Sequence, residues 1–300
     1  MMKKILKNTI FYPLVLLKRY VDLCRARKNP LRWICMRYKK ETGLILNLKN
    51  PRTFHEKVIW LAFNTDTSRW SLLADKYKVR EYVKASCLDD ILINLYGVYD
   101  TFQDIDFAVL PKSFVIKTNN SCGTVIVVKD KSKLNMNACR KKINAWLKDD
   151  YGTRSAQLHY SRIAPKILIE EYLQQDGNES TSLIDYKFFC FYGKVQYILT
   201  IYNRDLNRHS FVRQFYDLDW KRLYVDDENS ENILKPRTLE RMIQIAEILS
   251  ASLSFVRVDL YEVNNHPYFG ELTFTPGFDQ SIAYNKLKMG DFIDLTKVNV

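Results

Sequence analysis

The chain has 300 residues, of which 47% are hydrophobic and 27% are charged, and it carries a net charge of +12. This composition suffices to bury a sizeable core and excludes an intrinsically disordered protein. The six cysteines show neither CxxC nor cysteine–histidine zinc spacing, and the sequence predicts no cleavable signal peptide before them. We therefore expect reduced thiols in a cytoplasmic protein.

The positive charge is concentrated at the start of the chain. Residues 1–52 contain 14 Lys or Arg against Asp22 and Glu41, so the rest of the chain is neutral. The apolar run Ile10–Leu17 is broken by Pro13 and is far shorter than the ~20 residues that a membrane-spanning helix needs. We expect a basic helical segment that either presents a solvated face or adheres to the anionic inner membrane. Nucleic acid, which the same charge would attract, is the less favoured partner.

The elements after this segment mix helices with strands. Helical spacing across residues 72–83 brings Asp75 and Lys76 together on one predicted helix. Because helices and strands are interleaved rather than segregated, the predicted class is α+β with antiparallel sheets. Helices are predicted over residues 51–60, 72–83, 135–147 and 237–249, and strands over residues 111–117, 125–128, 166–173, 255–263 and 267–274, with two more around a turn at Gly193.

The last predicted hairpin carries a candidate site. Period-two alternation places Arg257, Asp259 and Tyr261 on one face of its first strand. A three-residue turn, Asn264–His266, would set Asp259 directly opposite Glu271 on the return strand. A two-residue turn would instead put the two carboxylates on opposite faces.

Two carboxylates beside an arginine are costly unless a cation is present, because like charges a few ångströms apart repel. Magnesium takes carboxylate, phosphate and water oxygens, which predicts a metal site at Asp259 and Glu271 with Thr273 as a further ligand. On the return strand Phe269, Glu271 and Thr273 would share a face, and Arg257 and Thr273 could reach a phosphate. The alternative is a solvated hairpin whose charges pair across the ladder.

Short motifs occur in a definite order along the chain: Asn50–Lys57, Leu73–Lys76, Phe114–Lys117, Val128–Lys133, Glu170–Leu173, Asp185–Phe191, Phe215–Trp220 and Arg257–Gly277. In this order they resemble the ATP-grasp enzymes and, among them, the TupA-like family of teichuronopeptide and cell-surface polysaccharide biosynthesis. The resemblance implies an ATP-grasp fold, in which two α+β lobes clasp ATP and Mg²⁺. It divides the chain into a basic segment (residues 1–50), a helical or α+β region (51–110), a small lobe (111–172) and a large lobe (173–300).

The resemblance also implies roles for individual residues. Lys76 and Lys117 would meet the nucleotide phosphates beneath a turn that reads Asn120-Ser121-Cys122-Gly123, where relatives commonly have a His-Gly-Ser-Gly-like run. Taken singly, these lysines and the strand-end carboxylates could be ordinary solvated side chains. The implied nucleotide set is Lys76, Lys117, Asn119, Gly123, Thr124, the adenine hinge Glu170, Glu171, Tyr172 and Leu173, and Asp185 and Lys187; the implied catalytic pair is Arg257 and Lys117.

The implied reaction is a ligation that forms a carbon–nitrogen bond. A carboxylate attacks the γ-phosphate of ATP, and an amine then displaces phosphate from the acyl phosphate to leave an amide, ADP and phosphate. By resemblance the substrates are an amino acid or amine and a uronic-acid-containing saccharide or its precursor. The alternatives are a kinase-like or glycosyltransferase-like enzyme of polysaccharide synthesis, or a non-catalytic nucleotide- or nucleic-acid-binding protein.

Overall fold

A computed structural model describes residue 14 and residues 17–175, 183–205, 210–225, 230 and 233–298. The helices are α1 (residues 17–28), α2 (Pro30–Thr42), α3 (Phe54–Asn64), α4 (Ser68–Ala74), α5 (Val79–Ala85), α6 (Met136–Leu147), α7 (Tyr151–Ser155), α8 (Leu158–Ser161), α9 (Leu239–Ser250) and α10 (Ser281–Lys286). The strands are β1 (Leu95–Tyr99), β2 (Phe114–Thr118), β3 (Val125–Val128), β4 (Ile167–Glu171), β5 (Asp185–Phe191), β6 (Lys194–Asp205), β7 (Ser210–Tyr216), β8 (Arg222–Val225), β9 (Phe255–Val263) and β10 (His266–Thr273).

Helices and strands interleave along the described residues, and the strands form two antiparallel sheets, which confirms the predicted α+β class. The apolar run Ile10–Leu17 lies mostly outside the described residues. The predicted divisions after residues 50, 110 and 172 stay predictions. Among the described residues, every helix is too short or too polar to cross a membrane.

The first sheet has the strand order β1-β4-β2-β3 and is covered by α6. Ile143 of α6 packs against Ile116 and Ile169, which point from the sheet into the same core. Helix α6 begins after Asn135, whose side chain accepts a hydrogen bond from the backbone N–H of Ala138. The predicted hairpin of β2 and β3 and the predicted helix are confirmed.

The second sheet has the strand order β10-β9-β5-β6-β7-β8. Helix α9 covers one face, where Met242 packs with Phe188 and Val258. The other face packs against α3 and α10 through Phe54 and Tyr284. Every residue of β5 is buried between these two layers, so a charged side chain on this strand needs a partner inside the protein.

The predicted continuous helix over residues 72–83 is wrong, because the chain breaks at Asp75. The Asp75 carboxylate accepts hydrogen bonds from the backbone N–H groups of Tyr77 (2.9 Å) and Lys78 (3.3 Å). A short acidic side chain that bonds its own backbone in this way favours a turn and the start of a new helix. Lys76 therefore lies in the turn between α4 and α5 rather than on a helix.

The turn of the last hairpin also differs from the prediction. Asn264 and Asn265 adopt left-handed backbone angles, with φ of 52° and 61°, and Val263 pairs with His266. This is a two-residue hairpin turn of the kind that asparagine favours. The pairing then shifts by one residue between Phe269 and Glu271, so Gly270 forms a bulge and Glu271 still faces Asp259.

The bulge changes which side chains of β10 share a face. Phe269 lies in the core under α9 with Leu260 and Leu272, so the prediction that it shares a face with Glu271 is wrong. Glu271 and Thr273 point to the opposite face, as expected. The extra residue in the bulge thus lets Phe269 point into the apolar core while Glu271, two positions later, points to the opposite face.

Candidate functional site

A buried cluster of charges lies on the face of the second sheet opposite α9. Arg257 donates to both carboxylate oxygens of Asp259, at 2.6 and 2.7 Å. Lys187, which pairs with Asp259 in the register of β5 and β9, donates to the same carboxylate. The Asp259 side chain is only 3% exposed, so these two basic groups replace the water it would otherwise bind.

Glu271 occupies the more open side of this cluster, with its side chain 25% exposed. It accepts from the hydroxyl of Thr273 at 2.9 Å and lies 3.2 Å from the Lys76 ammonium and 3.5 Å from the Arg257 guanidinium. Burial would raise the pKa of Glu271, but Lys76, Arg257 and Lys187 outweigh it and hold that pKa well below its usual range. Glu271 therefore stays ionised.

The same electrostatics keep the basic partners charged. Burial acts to lower the pKa of Arg257, but Asp259 and Glu271 raise it above its ordinary value. For Lys76, the effect of burial is likewise outweighed by Glu271. The expectation that the carboxylates need a cation is thus modified, because three basic side chains already pair with them. The alternative of a solvated hairpin does not describe this cluster either, since Asp259 is 2% exposed.

A divalent cation can nevertheless be accommodated by this donor set. Asp259, Glu271 and Thr273 present carboxylate and hydroxyl oxygens, the donor type that Mg²⁺ prefers. Across the part of the chain that the structure covers, no three Asp, Glu, His or Cys side chains form a metal cage. A magnesium ion here would therefore depend on ligands brought by a substrate, as is usual when Mg²⁺ binds with phosphates.

Lys76 joins this cluster to the turn after β2. Its ammonium donates to the carbonyl of Ser121 at 2.9 Å, and its backbone N–H donates to the carbonyl of Asn119 at 3.2 Å. The hydroxyls of Thr118, Ser121 and Thr124 are mutually hydrogen-bonded at 2.7 to 3.0 Å. These bonds hold the turn in shape.

Two further residues define what the turn can do. Gly123 has a φ of 74°, which an L side chain rarely adopts. The amide of Asn119 donates to Asp75 and to the carbonyl of Ala164, both at 3.0 Å, and its oxygen accepts from the N–H of Lys166 at 2.7 Å. The Asn119 side chain is thus occupied in anchoring the turn, whereas the space beside Gly123 is open.

A second ion-pair group lies in the first sheet. Lys117 of β2 is 2.5 Å from the carboxylate of Glu170 of β4, and Arg80 approaches the other oxygen at 3.8 Å. Glu170 is 4% exposed, so the possibility that it is a solvated strand end is excluded. Sequence analysis missed Arg80, although its spacing of four residues from Lys76 on the predicted helix was a usable signal.

The remaining predicted residues lie around these two groups. Glu171 is exposed at the end of β4, where its N–H donates to the carbonyl of Asn94 at 2.9 Å, and Tyr172 and Leu173 follow it, half-buried. Asp185 is buried at the start of β5, 3.9 Å from the Lys187 ammonium. The structure thus brings Lys76, Lys187, Arg257, Asp259, Glu271 and Thr273 together and places the predicted hinge beside Lys117 instead.

The charge of Glu271 also acts on two tyrosines, Tyr151 on α7 and Tyr160 on α8. Burial raises the pKa values of Tyr151 and Tyr160, and the Glu271 carboxylate adds to both increases. Burial and Glu271 also raise the pKa of the Cys122 thiol, against the opposite effect of Lys76. Periodicity gave no signal for the two tyrosines, because the charge that acts on them lies more than 100 positions away in sequence.

Two antiparallel sheets that bring Lys76 and a small-residue turn up to an Arg-Asp-Glu hairpin define a protein of the ATP-grasp class. The chain belongs to the TupA-like ATPgrasp family, whose model matches residues 56–292. The predicted family and the predicted ATP-grasp fold are therefore confirmed. None of the curated protein sequences matches the chain.

Similar solved structures include three proteins. D-alanine–D-alanine ligase from Bacillus anthracis, in complex with ATP, is 18% identical, with 74% of this chain and 63% of that chain covered and a TM-score of 0.43. An L-amino acid ligase from Bacillus licheniformis is 13% identical, with coverages of 73% and 45% and a TM-score of 0.44. A RimK domain ATP-grasp protein from Sphaerobacter thermophilus is 13% identical, with coverages of 83% and 84% and a TM-score of 0.42. The chain spans less than two thirds of the length of the first two, and likenesses this distant add nothing to the family assignment.

Proposed function

We propose that this protein is an ATP-dependent carboxylate–amine ligase that works through an acyl phosphate. The observation that carries the proposal is the position of Lys76. Its ammonium contacts both the carbonyl of Ser121 in the turn and the carboxylate of Glu271 on the hairpin. A triphosphate bound between turn and hairpin would meet this cation at the point where the transferred phosphoryl group has to be stabilised.

The basic residues of the two groups supply the charge for a nucleotide. Lys76, Lys187 and Arg257 are paired with carboxylates in this structure. A polyphosphate is a stronger partner for these cations than a single carboxylate, because it offers several charged oxygens at once. In the proposal these side chains turn toward the phosphates, and Arg257 and Lys117 offset the charge that develops during transfer.

Magnesium fits the same proposal. Asp259 and Glu271 would hold the cation through carboxylate oxygens, with Thr273 beside them. When bound, the metal would neutralise phosphate charge. The protein's own contribution is to hold both carboxylates ionised and in register, which the ion pairs and the bulge at Gly270 already do.

The nucleotide's other contacts are proposed on the family pattern. The backbone of Glu170, Glu171, Tyr172 and Leu173 would recognise adenine at the end of β4, and Asp185 would reach the ribose. Gly123 and Thr124 would present backbone N–H groups to phosphate oxygens. We assign Asn119 the narrower part of anchoring this turn, since its amide is fully used by Asp75, Ala164 and Lys166.

The substrates are proposed by family membership alone. They are an amino acid or other amine and a uronic-acid-type sugar of a cell-surface polysaccharide or its precursor. Attachment of the basic N-terminal segment to the inner membrane would suit this task, but the ligase proposal does not depend on it. The expected product is an amide, formed together with ADP and phosphate.

The test is ADP release measured over a panel of amino acids and uronic acids. We expect release that requires both an amine and a carboxylate, and a loss of about 100-fold or more in Glu271→Gln, which removes a ligand and a charge at the transferred group. Glu240→Gln, at an exposed position of α9, is the matched control and should keep full activity. Equal turnover in Glu271→Gln would contradict the metal assignment, and ADP release without any amine would point to a kinase.

A further inference from the structure

Helix α2 has two faces of opposite character. Trp33 and Tyr38 are buried against the body of the protein, and the indole of Trp33 donates to the carbonyl of Arg154 at 2.9 Å. Arg37 fixes the same face by donating to the carbonyl of Ser155 at 2.8 Å. The helix is thus firmly attached to α7, and its opposite side is presented in a constant orientation.

The opposite side, which we call the outer face, consists of Arg32, Met36, Lys39 and Lys40, all exposed. Their spacing of three to four residues aligns them along one stripe of the helix. Three cations in this stripe surround an apolar side chain that is 48% exposed. Exposed Arg25 and Lys28 of α1 extend the basic surface toward the N-terminus.

An apolar groove of about 550 Å³ opens beside the outer face, between α2, α3 and residues 46–49. Arg32 and Lys49 stand among its lining residues, and the neighbouring loop exposes Leu44 by 41% and Ile45 by 74%. Cations next to an apolar groove form an amphipathic surface. The apolar lining is Leu31, Cys35, Leu46, Leu48, Trp60 and Phe63.

We propose that this surface lies on an anionic phospholipid bilayer, with the outer face of α2 against the headgroups and the groove in contact with acyl chains. The charge complementarity is strong, since residues 1–52 hold the entire +12 excess of the chain. Each Lys or Arg near such a surface strengthens binding about fivefold. A nucleic acid would be attracted by the same charge but has no use for the apolar groove or for exposed Leu44 and Ile45.

The electrostatic half of the proposal is tested by co-sedimentation of the full chain with vesicles. We expect binding to vesicles of phosphatidylglycerol mixed with phosphatidylcholine, and little binding to phosphatidylcholine alone. The triple variant Arg32→Gln, Lys39→Gln and Lys40→Gln should bind about 100-fold more weakly. Arg140→Gln, Lys141→Gln and Lys148→Gln remove the same charge from exposed positions at α6 and should bind normally.

The apolar half is tested through Trp60, which lines the groove. Lipids brominated in their acyl chains should quench fluorescence in the wild type more than in Trp60→Phe, since the difference isolates this one indole among five tryptophans. No difference between the two proteins would overturn the groove assignment. The proposed membrane surface would be overturned if the triple and control variants bound the vesicles equally. It would also be overturned if RNA retained the wild type more strongly than anionic vesicles do.

These outcomes are separable from the proposed ligase activity. The triple variant leaves Lys76, Glu271 and the turn untouched, so its ATP affinity and its unfolding temperature should equal those of the wild type. A protein that binds vesicles as expected but releases no ADP would contradict the proposed function and leave the membrane surface standing. An unfolding temperature lowered only in the triple variant would show that the outer face serves stability instead.

Discussion

Asp259 lies directly opposite Glu271 across the last hairpin because the bulge at Gly270 compensates for the two-residue turn at Asn264 and Asn265. Without the extra residue, Glu271 would point into the core under α9. The candidate metal site therefore depends on a glycine that carries no functional group.

We predict that enlarging residue 270 damages the site. A Cβ at this position would lie 3.0 Å from the carbonyl oxygen of Asp259, so that strand has to shift by a few tenths of an ångström. Gly270→Val should lower ATP-dependent turnover by about tenfold or more, and Gly270→Ala by less, because displacement of positioned groups is costly to catalysis. Steady-state kinetics and thermal unfolding measure the two effects.

Gly43→Ala is the control: it strains a residue with φ of 76° far from the hairpin, so it should cost about 1 kcal/mol of stability and leave KM for ATP unchanged.

Removing the charge of Lys76 should weaken nucleotide binding. Lys76→Met removes the ammonium that contacts Ser121 and Glu271. A charge-assisted bond from this ammonium to a phosphate of ATP would be worth about 1.5–3 kcal/mol, so its loss should raise the Kd for ATP by about 10- to 100-fold. Lys117→Met should have a similar effect and also leaves Glu170 with Arg80 as its remaining partner. Lys141→Met, at an exposed position of α6, is the matched control in calorimetric titrations. Affinity equal to that of the control would remove either lysine from the nucleotide site.

Cys122 should report on occupancy of the turn. The side chain of Cys122 is exposed, but desolvation by the surrounding protein atoms and the charge of Glu271 raise the pKa of its thiol. Alkylation should therefore be slow near neutral pH and accelerate as the pH rises. Bound ATP should slow it further by covering the turn, while the thiols of Cys24 and Cys87, which are also exposed, react at unchanged rates. Mass spectrometry of the labelled peptides measures each rate. Protection of all three thiols to the same extent would indicate a global change rather than a ligand at the turn.

Acid should destabilise the protein through its buried histidines. Burial lowers the pKa of His55 to about 4 from an ordinary value of 6.5, and that of His159 to about 3. The unfolded chain therefore binds more protons than the folded one in this range, so each histidine's contribution is complete above about pH 6.5 and is lost as the pH falls toward its folded pKa. For His55 this amounts to about 3 kcal/mol.

The measurement is the free energy of unfolding in urea between pH 7 and pH 4. His55→Asn should remove the uptake of about one proton on unfolding, and so reduce the slope of that free energy against pH, whatever its effect on stability at pH 7. Val83→Ala, a fully buried apolar truncation that removes no titratable group, is the control, and it should lower the free energy of unfolding at every pH without changing the slope. A slope in His55→Asn that matches the wild type would mean that His55 is protonated in the folded protein.

Local sequence patterns predicted much of this fold. The strands around Gly193, the hairpin of β2 and β3, and helix α6 occur where periodicity and turn residues placed them. Alternation in β9 correctly assigned Arg257 and Asp259 to one face. These features are set by residues within a few positions of each other, so the sequence reads them directly.

The sequence by itself also determined the family, through its ordered motifs. Only the tertiary structure decided how the predicted site residues are held: Asp75 and Asn119 bond each other beside Lys76, Arg80 shares Glu170 with Lys117, and the charge of Glu271 acts on Tyr160. The bulge at Gly270 was likewise decided by the need to bury Phe269 under α9 while Glu271 meets Lys76. Such contacts join segments that are distant in sequence, and they depend on the burial and charge balance of the whole protein, which no local period encodes.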